Sequence, residues 1–285
     1  LVLAFGMAVR VRNGLTVALL GCFCLISAPE VLPLSASPML EVPAIGTALW
    51  ALWPLLKWEQ KRQWAWVALS GAILAVALHI KLTAVVAVPA LVAELVWMTG
   101  RTSPTNRVAG ASHALGLWAG SLAAVYVGLG ALVGTVPWDV LWGSHFSAGT
   151  LAHAPAAPAL VAFWPRLWAH HQEAFWAGNT GLAMVLLRRD WGRMAFPLIW
   201  LLTAGLISLW HRPWWPYYYL HLAVPLAWVA GYGVVELWRL AWDMAGRGFA
   251  GLRWLAVCGG VAGVCLPLAL VGGWDEAAQR RVAEE

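Results

Sequence analysis

Nine stretches of this chain run for 14 residues or more with almost no charge: 14–32, 42–56, 64–79, 82–98, 108–133, 174–187, 194–210, 216–238 and 252–272. A helix needs about 20 such residues to cross the hydrocarbon of a bilayer. Backbone in that layer finds no water, so its N–H and C=O groups must pair among themselves, as they do in a helix. A water-facing fold is excluded by charge: 11% of the residues are Asp, Glu, Lys or Arg, against about 25% in an ordinary globular domain. The expected architecture is an all-α membrane protein, a polytopic bundle of about nine transmembrane helices behind an N-terminal stub at 1–9. The run at 174–187 is short for a crossing, and is expected to extend back through His171 or to tilt into the bundle.

The bundle is expected over 1–273, with a long polar and aromatic connection at 134–173 and a tail at 274–285. The chain opens Leu-Val-Leu-Ala and closes Val-Ala-Glu-Glu, and reads as a C-terminal piece of a longer membrane protein. Charge on the connectors predicts the orientation. If the stub ends inside, 13 of the 18 Lys and Arg lie on inner connectors, Arg10, Lys57, Arg101 and Arg188 among them. Lys81, Arg166, Arg212, Arg280 and Arg281 lie outside, and that asymmetry follows the positive-inside rule. The net charge of +5 is no sign of nucleic-acid binding, because the cations fall in short clusters between apolar runs.

Several patterns read as packing. The cysteines, Cys22, Cys24, Cys258 and Cys265, all lie in apolar runs without metal-type spacing and are expected as small buried hydrophobes. Most of the 22 Trp stand near the ends of apolar runs, where an interfacial belt would place them. Ser112, Gly116, Gly120 and Ala124 recur every fourth residue, a stripe that permits close helix contact.

The outer side collects the chemistry. Lys81, in ALHIKLTAVV, is held between two apolar runs with almost no loop, as a cation at headgroup depth. It either snorkels to end a helix or meets a phosphate there. The stretch 211–222, HRPWWPYYYLHL, sets His211 and Arg212 beside prolines that interrupt a helix, followed by Tyr217, Tyr218 and Tyr219. Arg offers a planar fork that matches phosphate oxygens, and tyrosines either line such a site or anchor the interface. Glu41, at the mouth of a span, must stay hydrated, pair with a base or do chemistry, and Glu30 is placed similarly. His79 stands beside Lys81. His170, His171 and Glu173, like His145 and His153, admit a divalent metal, although HHxE lacks the i, i+4 spacing that sets two His on one helix face. Asp139, in VPWDVLWGSHF, opens what reads as a short helix lying on the membrane.

Three segments, in this order, resemble the polytopic GT-C glycosyltransferases that use polyprenyl-phosphate sugars, such as the protein O-mannosyltransferases and the lipid A aminoarabinose transferases: SPMLEVPAIGTALWAL, KRQWAWVALSGAILAVALHIKLTAVVAVPALV and RPWWPYYYLHLAVPLAWVAG. The resemblance implies a GT-C-like bundle in a membrane, in bacteria the plasma membrane, with its active face outside the cytoplasm. It implies an inverting transfer in which a carboxylate takes the proton of an acceptor hydroxyl and the polyprenyl phosphate leaves. Lys81 then corresponds to the family's phosphate-binding Lys, with His79, His211, Arg212, Tyr217 and Tyr218 as further substrate-binding candidates. Glu41 corresponds to an acidic position in some members, while the family's main acidic pair, after a first span, has no match in this chain. His79-Ile80-Lys81-Leu82 replaces the family's Leu-Thr-Lys-Gly, so its glycine is absent. The implied partners are a lipid-linked sugar donor, membrane lipids and an acceptor that is a protein, lipid or glycan; no cofactor is required beyond a possible divalent metal. The rival reading is a transporter or flippase for an anionic lipid or solute, which would place charge in mid-membrane and pair broken helices.

Overall fold

The computed structural model describes residues 14–26, 31, 40–102, 107–134, 175–210 and 216–246. These form helices α1 (Gly14–Ile26), α2 (Glu41–Trp50), α3 (Leu52–Lys61), α4 (Trp64–Ile80), α5 (Val88–Thr102), α6 (Arg107–Val133), α7 (175–188), α8 (Trp191–Trp210) and α9 (Tyr219–Gly246). Short 3-10 turns, Leu82–Ala87 and Pro216–Tyr218, lead into α5 and α9. Among the described residues there is no strand. Four stretches, Leu82–Arg101, Arg107–Val133, Trp191–Ser208 and Tyr219–Asp243, are long and apolar enough to cross a membrane, and α1 and α4 are shorter apolar helices.

Local sequence explains the breaks. Pro54 has no N–H to donate, so it is tolerated in the first turn of α3 and forces the interruption at Ala51. The Ala51 carbonyl, at the break, accepts from Ser70 Oγ on α4 (2.6 Å), and Ser70 accepts from the Trp118 indole of α6 (3.1 Å). Arg62 ends α3 in the left-handed region (φ 58°), its N–H returning to the Trp58 carbonyl. Gly134, at φ +84°, ends α6 in the way glycine favours.

Helix α9 is the most buried of the four spans and α6 the least. Close crossings on α9 need glycine. A Cβ on Gly231 would strike the Val17 carbonyl and Gly21 of α1, and one on Gly233 would strike Gly181 of α7. A methyl on Gly71 would likewise meet the Trp118 carbonyl and Ser121 Oγ, which lets α4 lie close along α6. Helix α8 packs on α9 and α5, and around Phe196 the rings of Trp200 and Trp228 stand at 5.5 and 5.6 Å.

Three expectations change. The stripe Ser112, Gly116, Gly120, Ala124 is exposed, and Cβ atoms on the two glycines would touch nothing, because α6 meets α4 through Ala114, Trp118 and Ser121. Tryptophan is divided between belt and core: Trp58, Trp118, Trp200 and Trp228 are buried, whereas Trp64, Trp97 and Trp191 are exposed. Glu41 is no hydrated loop residue; it occupies the first turn of α2 with its side chain fully buried. Connection 135–173, the span expected at 252–272, and His170, His171, Glu173, His211 and Arg212 lie outside the described residues.

Candidate functional site

The described charges gather at two ends. From Tyr219 to Glu236, α9 rises about 26 Å, close to the thickness of bilayer hydrocarbon. At the far end Arg188 Nε lies 3.5 Å from Glu236 Oε2, and Arg239 also bonds Glu236. Nearby the Tyr232 hydroxyl donates to Asp190 Oδ2 (2.7 Å), and Arg193 meets Asp190 Oδ1 at 3.3 Å. Glu236 and Asp190 thus each have an arginine partner, and α7, α8 and α9 are fastened together.

The near end is different. Helix α4 stops at Ile80, and Lys81 is a single extended residue (φ −159°, ψ 132°) before the 3-10 turn at Leu82. Its N–H returns to the Ala77 carbonyl (3.0 Å), and its carbonyl accepts from Ala84 (3.1 Å). Helical hydrogen bonding thus continues on both sides of a residue whose side chain is turned out of either helix. The Lys81 ammonium lies 2.5 Å from Glu41 Oε1 and 4.2 Å from the centroid of the Tyr217 ring. Glu41 sits at the positive end of the α2 dipole, which favours its charge. The carboxylate is fully buried while the lysine side chain keeps 24% exposure, so the pair is reached from solvent only through the lysine.

Tyr217 and Tyr218 stand edge to face, centroids 4.8 Å apart, and their hydroxyls are hydrogen-bonded. Burial first, and then the Glu41 carboxylate, raises the Tyr217 phenol above its ordinary value, against the opposing effect of the Tyr218 bond. Tyr218 is raised further, by burial, then by Tyr217 and by Glu41. Both phenols therefore remain protonated donors at neutral pH.

The structure brings together Glu41, Lys81, Tyr217 and Tyr218. His79 turns the other way: its Nε2–H donates to the Tyr126 carbonyl of α6 (2.7 Å) and its ring lies 4.4 Å from the Tyr126 ring. Among the described residues no group of three His, Cys, Asp or Glu could hold a metal ion. His221, the last histidine of the stretch 211–222, comes to this region as well: it follows Tyr217 by four residues and is 3% exposed.

Residues 2–127 match the model of a family described as dolichyl-phosphate-mannose-protein mannosyltransferase, a match that includes Glu41 and Lys81 and stops before Tyr217. No curated protein and no solved structure was found to be similar to the chain. The described helices and apolar spans are those of an all-α polytopic membrane protein, and over residues 2–127 the chain is similar to the GT-C-like membrane glycosyltransferases of the mannosyltransferase type.

Proposed function

We propose that the protein transfers a sugar from a polyprenyl-phosphate donor to an acceptor hydroxyl, at the outer face of the membrane. The observation that carries this reading is the Lys81 ammonium, fixed by Glu41 and covered on one side by the Tyr217 ring. An ammonium has three N–H donors. With one directed at Glu41 and another over the ring, the exposed part of Lys81 suits a phosphate oxygen at headgroup depth. In this reading Glu41 orients Lys81, and its buried, lysine-bound oxygens are poorly suited to receiving a proton from an acceptor. Tyr217 and Tyr218, kept protonated, add hydroxyl donors beside the same cation.

The acceptor oxygen bonds to the anomeric carbon as the bond from that carbon to the phosphate oxygen breaks, and the departing phosphate keeps the electron pair. The charge that grows on the phosphate is then met by Lys81, with Arg212 and His211 as further cationic candidates. The acceptor's proton passes to a carboxylate acting as general base. The test is transfer of radiolabelled sugar from a polyprenyl-phosphate donor by membranes containing the full-length protein. Lys81→Ala combined with Glu41→Gln, which leaves no buried charge unpaired, should abolish transfer at unchanged membrane abundance, and unchanged transfer in that variant sinks the assignment.

A further inference from the structure

Behind Lys81 the near end of the bundle holds polar atoms that no protein group satisfies. His221, on the first turn of α9, is 97% buried by its 3% exposure, and neither Nδ1 nor Nε2 has a hydrogen-bond partner. Thr83 Oγ1, two residues after Lys81, is also buried without a partner. Unpaired buried polar groups are costly, and they are kept where something else pairs with them. His221 follows by four residues Tyr217, whose ring lies 4.2 Å from the Lys81 ammonium, on a helix that also touches α2, which carries Glu41 in its first turn.

The chemistry of the two groups separates what each recognises. A phosphate oxygen only accepts, and suits Lys81. A neutral imidazole presents one donor and one acceptor, and a hydroxyl is the simplest group that answers both. We propose that His221, with Thr83 beside Lys81, forms a hydroxyl subsite that holds the sugar of the donor while Lys81 holds its phosphate. The subsite rests on the donor class proposed above and adds to it the residues that distinguish a sugar-bearing lipid phosphate from a bare one. In this role His221 is a positioning residue, pairing with a sugar hydroxyl away from the reacting carbon.

The test measures binding of two lipids, polyprenyl phosphate and polyprenyl-phosphate mannose, to the full-length protein in nanodiscs. His221→Leu should leave the affinity for polyprenyl phosphate unchanged and weaken that for the mannosyl lipid about tenfold, the loss of roughly one hydrogen-bonded contact. His221→Asn, which keeps a donor and an acceptor, should restore most of that affinity, and in transfer assays His221→Leu should raise KM more than it lowers kcat. Equal weakening for both lipids, or no weakening for either, overturns the subsite. Should the unaltered protein bind neither lipid, the donor assignment itself fails, a result distinguishable from failure of His221 alone.

Discussion

The Lys81 ammonium and the Glu41 carboxylate, 40 positions apart in the chain, stand 2.5 Å from one another, with the acid fully buried and the base partly open. The two sides of this pair are not equivalent. Removing the cation leaves a buried charge unpaired, which costs about 3–5 kcal/mol, whereas neutralising the acid leaves a lysine that can still reach water. Lys81→Met should therefore lower the thermal unfolding midpoint in detergent well below that of Glu41→Gln. The double variant should recover most of the difference, and equal effects of the two single changes would refute the burial asymmetry.

Ser70 holds two partners at once, donating to the Ala51 carbonyl and accepting from the Trp118 indole. Ser70→Ala strands both in a buried setting, at about 1–3 kcal/mol for each group left unmade. The expected result is a fall in unfolding midpoint with the Lys81 site intact, because the contact lies in mid-bundle. A midpoint within a degree of the unaltered protein would contradict it.

At Gly71, α4 lies directly against the backbone of α6. Gly71→Val places branched carbons against the Trp118 carbonyl and Ser121, which neither backbone nor a short side chain can vacate. Destabilisation by about 1–3 kcal/mol is expected. Gly116→Val, with open space at the Cβ position, should be nearly neutral by the same measurement.

Alkaline titration offers a separate check on the Tyr217–Tyr218 pair. Both phenols are raised by burial and by the nearby negative charge of Glu41. A raised phenol favours folding at pH values below its ordinary value of about 10, and this contribution is lost as pH climbs through the raised values. In ultraviolet difference spectra, Tyr217→Phe and Tyr218→Phe should each remove tyrosinate absorbance from the part of the titration above pH 10. Loss of a component near the ordinary value would argue against the burial of that ring.

Much of the architecture was legible because bilayer physics leaves few options. Run length and low charge specify helices, and connector charge predicts two ends, at which the described ions gather. The position of Lys81 between two apolar runs was sufficient to single it out, since a cation at that depth needs a reason. Its partner was harder to see. Glu41 looks like a loop residue because the proline at 43 suggests an irregular segment, yet a proline in the first turn of α2 is compatible with a helix and carries the carboxylate inward. The stripe on α6 misled for a related reason. Small residues permit a close approach but do not compel one, and the face that α6 presents is chosen by Trp118 and Ser121, whose polar atoms find partners on α4. Tryptophan at the ends of runs was read as belt, and the bundle buries several because a large ring fills the volume where helices diverge. His221 belongs to the stretch 211–222, but that its ring is buried without a partner is legible only in the folded bundle.

The ion pair also bears on how the protein enters the membrane. Glu41 and Lys81 flank a helical hairpin, α2 with α3 going one way and α4 returning, so the two charges meet only when the two arms are of matched length. A hairpin threaded one turn out of step would leave a carboxylate alone in hydrocarbon, the least tolerable arrangement available to it. Because the acid is fully buried, any register that parts the pair strands its charge, so the contact favours a single register of the hairpin.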